Sequence, residues 1–333
     1  MEQVMRFSLR LNNDLTLSQY EALAQAAEAA GFDQFWVSHD LFLRSSSVIL
    51  PIAARATEKM EIGSCIFNPY TINPAELAMF AATMDELSGN RFNLGLAAGA
   101  KEFLQWVGLA QERPLAAMRE TIKVVRCLLS GEAAAFNGQF IQWSSKAFLR
   151  FPAPRVTPIY VGAMGPKMLG LAGEMGDGVL PLLFPPEHFY NVKPLVEEGI
   201  ALRSDTLSEL DFATCIWVSL SEDREAAKQP LAQKIAYYGS SLGPLILDQL
   251  GLTVEDFAPI QHALNVERDE AKAMAMVDER MLRIGIVGQP ADVIERLEPL
   301  VDAGARHLSF GPPLGPEPLQ AVALLGQVID RFR

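Results

Sequence analysis

The amino-acid sequence predicts an α/β protein: a single (β/α)8 barrel, a TIM barrel, over residues 1–333. Three observations carry this. Short apolar runs alternate with helical stretches along the whole chain, which implies parallel strands joined by right-handed crossovers. Eight such units fit the 333 residues, as a barrel with insertions requires. The first apolar run is followed by "NNDLTLS", without a glycine, so the G-x-G-x-x-G turn of a doubly wound dinucleotide fold is missing. Two insertions are expected, one after strand four and one between strands seven and eight.

The elements follow in order. Met5–Leu11 reads as strand one. The next helix has Thr16 placed to cap it and Gly31 placed to end it. Gln34–Ser38 is strand two, and "SVILPIAARAT" is a helix carrying Pro51. "KMEIGSCIF" is strand three. Asn73-Pro74 opens a helix that Gly89 closes, and "RFNLGLAA" is strand four. Pro114 starts the fourth long helix, as proline is tolerated where an N–H would be unpaired anyway. The alternating residues of "EAAAFNGQFIQWSSKAFLRFPAPRV" suggest a small hairpin outside the regular units. "PIYVGA" and "DGVLPLL" are strands five and six, separated by the helix "GPKMLGLAGEMG". A helix from Glu187 leads to strand seven, "DFATCIWVSL". Residues 220–283 form a helix-rich insertion. "PADVIERLEPLVDAG", "ARHLSF" and a last helix close the chain.

Composition excludes several functions. With 40 acidic and 28 basic residues the formal charge is −12, so neither nucleic acid nor an anionic membrane surface is an expected partner. A small molecule is. No uncharged apolar run is long enough to span a bilayer. The three cysteines, Cys65, Cys127 and Cys215, lie far apart without a C-x-x-C. The N-terminal "MEQVMRFSLRLNND" lacks the basic-then-apolar pattern of a signal peptide. A reducing, cytoplasmic location is expected. Neither a metal cluster nor a G-x-S-x-G elbow is present. His307, on a core strand, is expected to be a satisfied structural histidine, and His188 and His262 to lie on surface helices.

In a barrel the chemistry sits at the C-terminal ends of the strands. Those ends carry Arg10, then His39 and Asp40, then Cys65, Ile66 and Asn68, then Ala97 and Gly99, then Ala163 to Lys167. Strand three is odd, because turn chemistry arrives early, at Asn68-Pro69-Tyr70 and Asn73-Pro74. By residue type alone it is a plain loop after a core strand, with Cys65 a small buried hydrophobe. In "GAMGPK" (Gly162–Lys167) a glycine turn feeds a helix whose free N–H groups favour an anion, with Lys167 adding charge. A tight strand-to-helix turn would read the same.

Three segments carry a resemblance: "CIFNPYTINPAELAMFAATMDELSGNRFNLGLAAGAKEF", "PIYVGAMGPKMLGLAGEMGDGVLPLL" and "FGPPLGPEPLQAVALLGQVI". They resemble the luciferase-like superfamily of flavin and deazaflavin oxidoreductases, in particular the F420-dependent branch that contains methylenetetrahydromethanopterin reductase. The resemblance implies a strand-three bulge with a cis peptide at Cys65–Ile66, supporting the face of a tricyclic ring. It implies that Asn68 bonds the ring edge. It implies that Ala97, Gly99, Ala163, Met164, Gly165, Pro166 and Lys167 hold the cofactor, with a phosphate at the helix start. His39 and Asp40 stand where the F420 enzymes read Asp-His, in reverse order, and are the catalytic candidates. The pterin reductases carry Gly-Asp-Lys after strand four and a carboxylate on strand one. Here those places are Gly99-Ala100-Lys101 and Arg10, so the pterin substrate does not carry over. Arg10 reads either as a substrate contact or as an ion pair with Asp40 or Glu102.

The function expected is hydride transfer between F420 and a small organic substrate. An FMN-dependent monooxygenase or reductase on the same fold is the alternative, and a non-catalytic cofactor-binding relative is a third reading. The 220–283 insertion reads as a lid, in which Tyr237 and Tyr238 contact substrate, or as packing or a dimer contact. A homo-oligomer, in the simplest case a homodimer, is expected.

Overall fold

The computed structural model describes residues 4–333. Strands β1 (Arg6–Leu11), β2 (Gln34–Val37), β3 (Glu61–Ser64) and β4 (Phe92–Leu96) come first, each followed by helix. A small antiparallel hairpin, β5 (Phe136–Asn137) and β6 (Gln142–Trp143), then stands outside the barrel, as its sequence alternation suggests. β7 (Ile159–Ala163), β8 (Gly178–Pro181), β9 (Asp211–Leu220), β10 (Ile286–Gly288) and β11 (His307–Leu314) complete the strands. Parallel pairing runs β1-β2-β3-β4-β7-β8-β9-β11 and returns to β1, so eight strands close a (β/α)8 barrel. The short strand β10 adds to the far edge of β9 and lies outside the closed ring.

Alternate residues of each strand face inward, and this stacks the interior in layers. At the N-terminal end Arg6 bridges Asp211 at 2.8 Å and Glu61 at 2.9 Å. His307 Nδ1 lies 2.8 Å from Asp211 and its Nε2 lies 2.8 Å from the Ser8 hydroxyl, so His307 is the satisfied core histidine expected. The Tyr160 hydroxyl donates to Asp211 at 2.7 Å. The next layer is the Trp36 indole, edge-on to Tyr160 with ring centres 4.9 Å apart. Gly63 is glycine because a side chain there would enter the Trp36 ring. The interior is therefore filled, and chemistry is confined to the open C-terminal mouth. A surface cleft of about 520 Å³ lies at the opposite, N-terminal face around Arg6 and His307. Those two polar groups are already committed to the network above.

The insertion after β9 opens with the helix Arg224–Tyr238 and continues through the short helices Pro244–Asp248, Ala258–His262, Glu270–Ala275 and Glu279–Leu282. Its apolar residues, among them Leu231, Ile235, Leu247, Phe257 and Ile260, form a cluster separate from the main core. Phe184 and Trp217 are the barrel's contribution to that cluster, with ring centres 4.1 Å apart. His188 departs from expectation: it is buried, and its Nδ1 lies 2.9 Å from the Gln249 amide of the insertion. No helix is long and apolar enough to cross a membrane among the described residues.

Candidate active site at the barrel mouth

The strand-three question has a structural answer. The Ser64 hydroxyl accepts from the Gly95 N–H at 2.9 Å and donates to the Gly95 carbonyl at 3.1 Å. Gly95 is glycine because a Cβ there would run into the Ser64 carbonyl. The Phe67 N–H then reaches the Gly95 carbonyl at 2.9 Å and the Ala97 N–H reaches the Phe67 carbonyl at 3.0 Å. Between these ties the chain bulges, and the Cys65–Ile66 peptide is cis, as the resemblance implied. Small residues surround the bulge. A Cβ on Gly162 would meet both Ile66 and Ala97 at 3.1 Å.

Asn68 is buried and ends the bulge. Its Oδ1 accepts from the Tyr70 and Thr71 N–H groups at 3.1 and 3.0 Å, a local side-chain turn. The oxygen is thus committed, and the amide NH2 is the group left to face a ligand. Gly99, with φ of +74°, lets its backbone lie against the Asn68 amide. Burial pushes the Cys65 thiol up to about 12, with Arg10 pulling weakly the other way, so this sulfur is a neutral packing group and not a nucleophile.

His39 and Asp40 come together with Cys65, Ile66, Asn68 and Gly99 around a cavity of about 100 Å³. His39 Nδ1 is held 2.7 Å from the Ser46 hydroxyl, and its ring sits edge-on to the buried Phe67, 4.9 Å between centres. Burial lowers the His39 pKa, so the ring is neutral near pH 7. Nδ1 is fixed by Ser46, and Nε2 makes no hydrogen bond among the described residues. The Asp40 carboxyl is pushed up by burial, against the opposing pull of Lys234. Its side chain makes no hydrogen bond among the described residues. The loop is held instead by Asn13, whose Nδ2 donates to the Asp40 and Arg44 carbonyls at 3.0 and 2.7 Å.

Arg10 makes no ion pair among the described residues, so the expected alternative pairing with Asp40 or Glu102 is not formed. Its Nε donates to the Ser309 hydroxyl at 3.1 Å and its Nη2 to the Ile216 carbonyl at 3.0 Å. The guanidinium is the floor of the mouth. Across the barrel the helix Pro166–Met175 starts at Gly165 with no side chain capping it. Met164, Gly165, Pro166 and Lys167 are exposed, while Ala163 is buried at the strand end.

Tyr237 and Tyr238 lie on the insertion's first helix and line a second cavity, about 330 Å³, with Asn12, Asp14, Lys234 and Pro312. Lys234 went unread in the sequence. Its Nζ stands 4.8 Å from the Trp217 ring centre and 5.0 Å from that of Tyr238.

Comparison with known proteins identifies the family. The family model for luciferase-like monooxygenases matches residues 5–307. The chain belongs to the luciferase-like monooxygenase family. It is 32% identical to a 5,10-methylenetetrahydromethanopterin reductase of Archaeoglobus fulgidus, over 98% of both chains. It is 27% identical to an F420-dependent glucose-6-phosphate dehydrogenase of Nakamurella multipartita, over 95% of this chain and 93% of that one. Among solved structures, the coenzyme F420-dependent tetrahydromethanopterin reductase of Methanopyrus kandleri superposes with a TM-score of 0.91 at 29% identity, covering 99% of this chain and 100% of that one.

Proposed function

We propose that this protein is an F420-dependent oxidoreductase that transfers a hydride between the deazaflavin and a small organic substrate. The observation that carries the reading is the Ser64–Gly95-tied bulge facing the His39 cavity, in a chain similar to proteins named as F420-dependent. A Baeyer-Villiger monooxygenase of Pseudomonas putida solved in complex with FMN is structurally similar at 16% identity, which supports the shared fold alone.

The residues present fit such a cofactor. Gly95, Gly99 and Gly162 keep the bulge free of side chains, which a flat ring system needs on one face. The Asn68 amide is placed to donate to a ring edge. The uncapped start at Gly165 and the Lys167 charge suit a phosphate. The bound deazaflavin supplies hydride chemistry, and the protein supplies orientation and electrostatics. Neutral His39, with Nδ1 anchored on Ser46, offers Nε2 to accept or deliver the accompanying proton. Asp40, with its pKa raised, is a second proton-holding group beside it.

Three free cysteines fit a reducing compartment, and we place the protein in the cytoplasm. The exposed aromatics Phe42 and Trp106 at the rim suit a homo-oligomer. The test of function is titration of the purified protein with F420 and, separately, with FMN. Quenching of F420 fluorescence and reduction of bound F420 without oxygen consumption support the reading. Tight FMN binding with oxygen uptake would overturn it.

A further inference from the structure

Lys234 is a cation without a counter-ion. Its ammonium lies over the rings of Trp217 from β9 and Tyr238 from its own helix, which meet edge-on with centres 6.3 Å apart, and no hydrogen bond or ion pair to it is formed among the described residues. Two aromatic faces hold the charge in position without neutralising it. The groups that face it come from three directions. Arg10 comes from β1, Asp14 from the loop after β1, and Asp40 from the loop after β2. Neither carboxylate approaches within ion-pair distance. Burial dominates, lowering the Lys234 pKa to about 8 in spite of both acids. A second cation, Arg10, lies below with no ion pair of its own among the described residues, its Nε and Nη2 bonded only to neutral oxygens. In a chain of net charge −12, a cation without an ion pair lining a cavity, with a second buried behind it, is conspicuous. Burying a charge is tolerated when a partner completes it.

We propose that Lys234, backed by Arg10, is the recognition point for an anionic group, a carboxylate or a phosphate, on the substrate that enters the barrel mouth. The substrate is then an acidic small molecule. The proposal rests on the reading of the mouth as the hydride-transfer site. The Tyr237 and Tyr238 side chains, which line the same cavity, would lie beside the body of the substrate while the ammonium holds its charged end.

The experiment is calorimetric titration of malonate and of inorganic phosphate into the protein, with and without saturating F420. The F420-loaded arm keeps the probes off the Gly165 helix start, and the free arm scores the anion site whether or not F420 binds. Wild-type protein is expected to bind at least one probe. Lys234→Met should weaken that affinity by roughly tenfold or more, the scale of losing one charge-assisted hydrogen bond. Wild-type affinity should fall by up to about tenfold per pH unit above pH 8 as the ammonium loses its proton. Lys234→Arg should bind with no such fall, because guanidinium stays charged. Binding of neither probe to wild type, equal affinity in Lys234→Met, or the same pH dependence in Lys234→Arg overturns the proposal. F420 binding itself is read separately on cofactor fluorescence, so failure of the cofactor reading is distinguished from failure of the anion site.

Discussion

Gly311 is glycine because the Arg10 guanidinium occupies the place of its side chain: a Cβ at Gly311 would collide with Nη2. The relationship links β11 to β1 across a closed pair of barrel strands. The Arg10 side chain is thus positioned by packing as well as by its bonds to Ser309 and the Ile216 carbonyl. Gly311→Ala should dislodge it. Overpacking of this kind costs about 1–3 kcal/mol, to be measured by denaturant unfolding. Turnover should fall further than stability alone explains, since the floor of the mouth is rearranged. Unchanged stability and turnover in Gly311→Ala would contradict the positioning role.

Gly165 has φ of −86°, ordinary for any residue, and an added Cβ meets nothing within 4 Å. Gly165→Val is therefore expected to fold with nearly unchanged melting temperature. F420 affinity should drop by roughly tenfold or more, because the side chain would stand where an anion approaches the helix start. Fluorescence titration of F420 against both proteins checks it. Equal affinities would remove the phosphate assignment.

His39 gives a pH signature. Burial lowers its pKa below the ordinary 6.5, so between the two values the unfolded chain binds more protons than the folded one. Stability from this group is complete above 6.5 and declines as pH falls through that window. A rate that needs the neutral ring should hold to below pH 6.5 and then drop. His39→Gln should lower kcat and abolish that acid limb, while leaving F420 affinity close to wild type. An unchanged acid limb in the variant would assign it elsewhere.

Asp211 carries the stability of the barrel's closed end. Burial alone would raise its pKa, but His307, Arg6 and the Tyr160 hydroxyl bring it down to about 2. A depressed carboxylate stabilises the fold above its ordinary value of 3.8 and loses that contribution as pH falls toward 2. Asp211→Ala leaves Arg6 with Glu61 and His307 with Ser8 but takes the shared carboxylate from both, and should cost about 3 kcal/mol, the lower end of the scale for breaking a buried pair. The acid unfolding midpoint and urea titrations of wild type and variant test this. A variant as stable as wild type at pH 7 would show that the network is dispensable.

The barrel was legible in the sequence because each strand and helix announces itself over several residues, and turn glycines such as Gly31 and Gly89 mark the boundaries. β10 was not, since three residues, Ile286–Gly288, carry no periodicity to read. The bulge was read from its early turn chemistry together with family resemblance, whereas the role of Ser64 has no local signal. Its partner Gly95 sits 31 positions away and only the fold brings them together. Asn13, which holds the His39–Asp40 loop, gives no local signal because its bonds lie 27 and 31 residues ahead. His188 was taken for a surface residue because Gln249 covers it from the insertion. Lys234 was missed for the same reason. On a helix in an insertion of unknown placement, a lysine looks like a solvated charge, and only its position over Trp217 makes it otherwise.

The insertion itself supplies the last prediction. Its first helix, Arg224–Tyr238, is tied to the barrel through the cluster that includes Trp217 and Phe184. Beyond Tyr238 the chain runs through Gly239, Gly243 and Gly251, joined by one short turn and one short helix. Short elements of this kind open more readily than a long packed helix. The lid reading therefore divides the insertion into a fixed part and a moving part. Hydrogen exchange of the protein alone, with F420, and with F420 plus malonate should separate them. Residues 224–236 are expected to keep the same protection in all three states. Residues 237–252 should slow when both ligands are present, as Tyr237 and Tyr238 close on the mouth and exclude water. If that segment is unchanged while residues 65–68 and 165–168 become protected, the insertion is packing on the barrel wall and gates nothing.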